Sequence, residues 1–384
     1  MFSNRKWLRV GLMTLLVLGI ACAAGHSVSP AAKPVPALPV KYTMTLLPPL
    51  GTYVCRANGM NNHGDVVGSA HDGMGRGFYC LAPYEACVDL NDSENLPFGW
   101  RITAAVGIND YGQIDGDYRC TDPDGVVRDH AFVYDLVTDT FYPLPQPAGL
   151  PWSYAKGINN LGEITGELQN DGAGVRRVFV WTPGTDPISL AIDVNTCGID
   201  INDAGQVTYP AQGHAFRYTP ATGGADAKYE DLGVLGPLPD GTSKSVAQGI
   251  NNAGQVVGQS TSSAGWRAYR YTDGVGMVNL GTLDATGVTQ SEALSINDSG
   301  QVVGWSAVRK ARDFVYRPML YTDATGRLNL WPLITNPPAG MTENDMGFGA
   351  DMAGVGINNP AEGKTFGRIC GTAKGLMYVL TPDR

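Results

Sequence analysis

Ile250-Asn251-Asn252-Ala253-Gly254-Gln255-Val256-Val257-Gly258 is one of seven versions of a single phrase. The phrase opens as Met60-Asn61-Asn62-His63-Gly64-Asp65-Val66-Val67-Gly68 and returns as Ile108-Asn109-Asp110-Tyr111-Gly112-Gln113-Ile114-Asp115-Gly116. It starts again at Ile158, Ile201 and Ile296. A stretched seventh version runs Ile357-Asn358-Asn359-Pro360 and, after an insertion, Gly367-Arg368-Ile369-Cys370-Gly371. The first residues of successive versions lie 48, 50, 43, 49, 46 and 61 positions apart. The Asn-[Asn/Asp]-x-Gly core suits a type I turn closed by a left-handed Gly, with the Asn side chain bonding its own backbone. The β-branched flanks read as strands, so each phrase predicts a hairpin of strands A and B.

A third strand follows each hairpin, as in Arg76-Gly77-Phe78-Tyr79, His130-Ala131-Phe132-Val133-Tyr134 and His214-Ala215-Phe216-Arg217-Tyr218. A turn such as Thr272-Asp273-Gly274 leads to a fourth, such as Met277-Val278-Asn279-Leu280-Gly281. Four antiparallel strands per repeat of about 40–50 residues is the pattern of a propeller blade. The last repeat stops after its third strand, Leu376–Pro382, while Lys41–Leu47 precedes the first hairpin as an orphan fourth. The expectation is an all-β, seven-bladed β-propeller over 41–384, its last blade closed by the N-terminal strand. Such sharing removes the unpaired edge between the chain ends.

Composition agrees with a folded body. The chain of 384 residues holds 50 Gly and 25 Pro, 43% hydrophobic and 16% charged residues. Disordered chains are apolar-poor and charge-rich, and collagen needs Gly at every third position. The net charge is −9 and no basic run lies beyond the first ten residues, which argues against a nucleic-acid partner.

Arg5, Lys6 and Arg9 precede an apolar run from Val10 to Ile20, and Ala21-Cys22-Ala23 follows as an A-x-A site. A run this short does not span a bilayer, so 1–23 reads as a signal peptide and 24–40 as an Ala/Pro-rich linker. Leu18-Gly19-Ile20-Ala21-Cys22 also fits a loose lipobox, with the signal ending at Ala21 and a lipid on Cys22. Both outcomes stand at this stage; contact with a membrane would be through that lipid alone. Six cysteines remain in the body, an even number suited to disulfides in an exported chain. Cys80 and Cys87 flank a third-to-fourth strand loop and are the first candidate pair. Cys55 and Cys370, on neighbouring blades, are the second; Cys120 and Cys197 are left unassigned.

The repeats resemble the HAF-type extracellular repeat of bacterial proteins, on His130-Ala131-Phe132, His214-Ala215-Phe216 and the phrases at Ile250–Gly258 and Ile296–Gly304. The resemblance covers the whole body and implies export and fold, but no reaction. Two departures concern blade regularity: Tyr209-Pro210 in the fourth copy and Pro318-Met319-Leu320 in the sixth.

No Gly-x-Ser-x-Gly elbow or H-E-x-x-H occurs, and Gly363-Lys364-Thr365 lacks the rest of a phosphate loop. Asp122-Pro123-Asp124-Gly125 with Asp129 lacks the spacing of a calcium loop and reads as a hairpin turn. His130 and His214 open third strands and read as cross-strand hydrogen-bonding partners. The uniform A–B turns share one face of the ring with the C–D loops. The unequal B–C and D–A loops share the other, where binding is expected. Trp100, Trp152 and Trp331 fall in D–A connections and are the candidate ligand platforms, against the alternative that they cover blade ends. No catalytic residue, metal or cofactor is assigned. The reading is a monomeric, exported, non-catalytic binding or scaffold protein of the bacterial envelope or extracellular space, for a glycan or protein ligand. The alternatives are an extracellular carbohydrate-active enzyme, hydrolase or lyase, and a structural envelope component.

Overall fold

The computed structural model describes residues 40–71, 73–172, 174–190, 196–286, 289–310, 313–343, 345–346 and 356–383. The signal sequence, Cys22 and the linker up to 39 lie outside the described residues.

Seven four-stranded antiparallel sheets make up the body, a seven-bladed β-propeller. Blade 1 is Val54–Met60, Val66–His71, Arg76–Cys80 and Cys87–Asp89, named A to D from the axis outward. Blade 2 is Arg101–Ile108, Gln113–Thr121, Val127–Asp135 and Thr140–Pro143. Blade 3 is Trp152–Ile158, Ile164–Gln169, Arg176–Trp181 and Ile188–Ser189. Blades 4, 5 and 6 begin at Asp200, Ser245 and Ser291. Blade 7 takes Gly356–Ile357, Ile369–Ala373 and Leu376–Pro382 from the C-terminal end and Tyr42–Leu46 from the N-terminal end. That last pair runs antiparallel from Tyr42↔Pro382 to Leu46↔Tyr378. Asn336, from the connection into blade 7, clips the outer edge by accepting from Met44 N–H at 2.7 Å and donating to its carbonyl at 3.1 Å. Among the described residues the helical content is two short 3-10 turns, Leu90–Asp92 and Trp331–Leu333.

The phrase residues have separable jobs. The turn Gly has positive φ in the first six copies, from 68° at Gly205 to 93° at Gly64. The closing Gly has another reason. A Cβ on Gly68, Gly116, Gly166, Gly258 or Gly304 would lie 1.9–2.2 Å from a carbonyl oxygen of strand A, so no side chain fits there. In blades 1 to 3 the aromatic ring of strand C covers this Gly, as Phe78, Phe132 and Phe179 show, all fully buried. Blade 4 breaks the rule where the sequence departs. Its strand A shrinks to Asp200–Ile201, and Tyr209 is buried at the position of the closing Gly. Blade 6 is regular: Pro318 pairs with Trp305 inside a ten-residue strand C, Asp313–Thr322. The core is a set of apolar clusters between neighbouring blades, so each blade buries its faces only against the next.

Candidate functional site

The two faces of the ring use their polar groups differently. On the face of the A–B turns, the first Asn of each phrase is buried, and its Nδ2 donates across the blade boundary to the carbonyl of the next Asn. The chain runs Asn61→Asn109→Asn159→Asn202→Asn251→Asn297→Asn358 and back to Asn61, at 2.9–3.1 Å throughout. Its Oδ1 meanwhile accepts within its own turn, as Asn109 does from Tyr111 and Gln113 N–H. The second residues form a parallel ring, Asn62, Asp110, Asn160, Asp203, Asn252, Asp298 and Asn359. Each backbone N–H donates to the next side chain's Oδ1 at 2.7–3.0 Å. The alternating Asn amides also reach the Oδ2 atoms of Asp110, Asp203 and Asp298. This double belt surrounds a cavity of about 160 Å³ on the axis. Turn geometry alone does not account for the Asn residues; each also ties its blade to the next. The belt's side chains are thereby occupied with one another.

The opposite face carries an irregular cluster on blades 2 and 3. It grows from the B–C hairpin of blade 2, where Tyr118 pairs with His130 and Cys120 with Arg128. Strand alternation puts Tyr118, Cys120 and Asp122 on one side, together with Arg128 and His130 across the ladder. Asp122 and Gly125 close a hairpin turn, Gly125 N–H donating to the Asp122 carbonyl at 2.9 Å. Asp122 uses its two oxygens separately. Oδ2 takes Arg128 Nη1 at 2.8 Å; Oδ1 faces His130 Nε2 at 2.8 Å and Cys120 Sγ at 3.7 Å.

Arg128, 4% exposed, is the hub. It also holds Asp124 at 2.9 Å and Asp171, from the B–C loop of blade 3, at 2.7 Å. Those hydrogen bonds, Asp124 first, raise the guanidinium pKa further. In return Arg128 pulls Asp124 and Asp171 below the usual carboxylate range. Asp171 accepts in addition from the indole N–H of Trp152 at 2.7 Å. At the other end, Trp100 stacks on Tyr118, centroids 3.5 Å apart and planes 13° from parallel, and Tyr118 stands 5.3 Å from the His130 ring. Trp100 and Trp152, both half-buried, therefore bracket one continuous polar cluster. Trp331 is elsewhere: it opens the 3-10 turn after blade 6 and packs, half-buried, on the blade 7 core.

Behind the cluster, the boundary between blades 2 and 3 is acidic. Asp115 is 0% exposed, and no side chain hydrogen-bonds its carboxyl, which rests against the backbone of Gly107. Blades 1, 5 and 6 carry Val67, Val257 and Val303 at this position, all buried. Burial, reinforced by Asp117, pushes the Asp115 carboxyl up to about 7.

The other sequence candidates fall as follows. Cys80 and Cys87 form a disulfide with Cα atoms 4.3 Å apart. The Cys55–Cys370 pairing is not made; both are thiols in one buried cluster between blades 1 and 7, and burial raises the pKa of each. His214 Nδ1 meets the Asp231 carboxylate at 2.9 Å across strands C and D, as a cross-strand partner should. The meeting of Cys120, Asp122 and His130 was not legible beforehand, because it depends on the register of the hairpin.

No family model and no curated protein matches this chain. Solved structures do. The β-propeller domain of the Trilobed protease from Pyrococcus furiosus aligns with TM-score 0.44 and 10% identity over 85% of this chain and 95% of that one. YCF48, solved bound to D1 peptide, aligns with TM-score 0.47 and 9% identity over 89% and 97%. TolB from Acinetobacter baumannii aligns with TM-score 0.40 and 14% identity over 75% of this chain, which spans 62% of the TolB chain. At these identities the likeness concerns the propeller fold alone.

Proposed function

We propose that this chain is an exported, non-catalytic binding or scaffold protein of HAF-type repeats, which meets a glycan or protein ligand through the face of the B–C and D–A loops. The observation that carries the reading is the pairing of Trp152 and Trp100 at the two ends of the Arg128 cluster. Two half-buried indoles and a set of ionised carboxylates lie on one patch of a rigid ring, the composition of a polar-rimmed aromatic contact surface. The opposite face offers a belt whose hydrogen bonds are already made. Export is supported by the Cys80–Cys87 disulfide, which belongs to an oxidising compartment, and by the signal-like N-terminus. Among the described residues no helix is long and apolar enough to cross a membrane. A two-carboxylate glycosidase needs one accessible carboxyl kept protonated; at the loop face Arg128 holds Asp124 and Asp171 ionised, and the raised carboxyl of Asp115 is fully buried.

The test is a glycan array and a peptide library probed with the purified chain, followed by product analysis on any hit. Binding without turnover that is lost in Trp152→Ala at unchanged melting temperature is the expected result. Turnover of a bound glycan, or binding that survives both Trp152→Ala and Trp100→Ala, overturns the proposal.

A further inference from the structure

We infer that the blade 2 hairpin holds a zinc-class divalent metal ion on Cys120 Sγ, His130 Nε2 and Asp122 Oδ1. These three atoms all lie within 4.8 Å of one another. The Cys120 Sγ to Asp122 Oδ1 edge, 3.7 Å, is close to the edge of a zinc tetrahedron, about 3.5 Å, while the His130 Nε2 to Asp122 Oδ1 edge, 2.8 Å, is a hydrogen bond that opens to about 3.3 Å when an ion replaces its proton. Zinc bonds of about 2.0–2.3 Å to N, O and S donors fix that size. Sulfur, imidazole and a carboxylate together suit this borderline ion rather than calcium or magnesium, which take oxygen donors.

The surroundings hold the donors in place. Cys120 and His130 sit on paired strands and Asp122 on the turn that joins them, so one short hairpin supplies all three. Asp122 is oriented by Arg128 on Oδ2, which leaves Oδ1 turned toward the other two donors. His130 is 2% exposed, and its Nδ1 is buried with no partner, so Asp122 supplies its one hydrogen bond while Tyr118 packs beside the ring. Cys120 is only half-buried and the Asp122 side chain 16% exposed, so an ion can enter and a water can complete the fourth position. The proton balance is simple. The metal replaces the thiol proton of Cys120, which leaves to solvent. With Nε2 on the metal the ring's remaining proton is carried on Nδ1, a buried site with no acceptor in this structure, and Asp122 Oδ1 exchanges two hydrogen bonds for one metal bond.

This inference does not depend on the ligand-binding proposal, since the hairpin carries its donors whether or not the tryptophans meet a ligand. The test uses the full chain, stripped with chelator, reduced under conditions that spare the Cys80–Cys87 bridge, and titrated with Co²⁺ and then Zn²⁺. One equivalent of Co²⁺ should give tetrahedral d–d bands and a thiolate charge-transfer band, both bleached by Zn²⁺. Cys120→Ser should abolish the charge-transfer band. His130→Asn should weaken Zn²⁺ binding by more than about tenfold, the loss that changing even a partner outside the ligand set brings. Cys197→Ser should leave the spectrum unchanged. Melting temperatures of the metal-free variants check that each has folded, and His130→Asn alone suffices if Cys120→Ser does not. Absence of a charge-transfer band in the unmodified chain overturns the inference. So does a band that persists in Cys120→Ser or vanishes in Cys197→Ser.

Discussion

The Asn belt and the blade 2–3 cluster sit on opposite faces of the same ring and are built on opposite principles. In the belt, every blade contributes an Asn followed by an Asn or Asp, and the amide and backbone bonds across each blade boundary repeat those of the boundary before. In the cluster, nothing is copied: Cys120, Asp122, Arg128 and Asp171 have no counterparts arranged alike among the described residues, and on the other side of the same strand Asp115 stands where Val67, Val257 and Val303 pack. Repetition closes the ring. Departure from repetition places polar chemistry at one boundary, and the fold carries the cost there as a fully buried carboxyl with no side-chain partner.

The comparison can be broken in several places. Removing residues up to Leu47 takes the outer strand from blade 7, together with its five register pairs, and should abolish cooperative unfolding or lower the melting temperature by more than 10 °C. Removing residues only up to 39 should leave the transition in place. Equal melting curves would show that the ring does not depend on the shared blade. Next in size is Asn109→Ala. It deletes two donated and two accepted hydrogen bonds at a buried site, and should cost about 2–4 kcal/mol in denaturant unfolding. A loss below about 1 kcal/mol would mean that the belt decorates the ring rather than fastening it.

Asp115→Val tests the other region and has the opposite sign. The folded carboxyl titrates near 7, above its ordinary value, so the native state binds the extra proton. Its penalty is absent below about pH 4, grows as pH rises through the interval up to 7, and is constant above that. The variant should therefore be more stable than the parent at pH 8, by about 2 kcal/mol, and the gain should shrink toward pH 5. A pH-independent difference would relocate the titrating group. The smallest effect on stability should come from Trp152→Ala, under about 1 kcal/mol because the ring is half-buried and its N–H meets an exposed Asp171. A larger loss would make Trp152 a cover for the blade end rather than a contact surface.

Much of this was readable in the chain. The Asn-x-x-Gly phrase specifies a turn by local backbone preference, and its flanks specify strands by β-propensity, so blade number and the shared last blade follow from counting. The Cys80–Cys87 bridge follows from proximity along one hairpin. The candidate site was half legible. Irregular loops and their tryptophans directed attention to one face, where the structure brings Trp100 and Trp152 to one cluster and leaves Trp331 apart. The cross-blade role of the belt Asn was hidden behind their sufficient local reason.

Local sequence thus determined what depends on neighbours within a few residues: turn type, strand periodicity, repeat length and therefore the propeller. Tertiary structure alone decided which side chains meet across blades. Asn109 reaches Asn159 fifty residues on, Arg128 gathers Asp171 from the next blade, and Asp115 is sealed without a side-chain partner at a boundary between two sheets. Such contacts are set by the register and packing of whole blades, and a pattern read along one strand carries no record of what the neighbouring sheet will place opposite it.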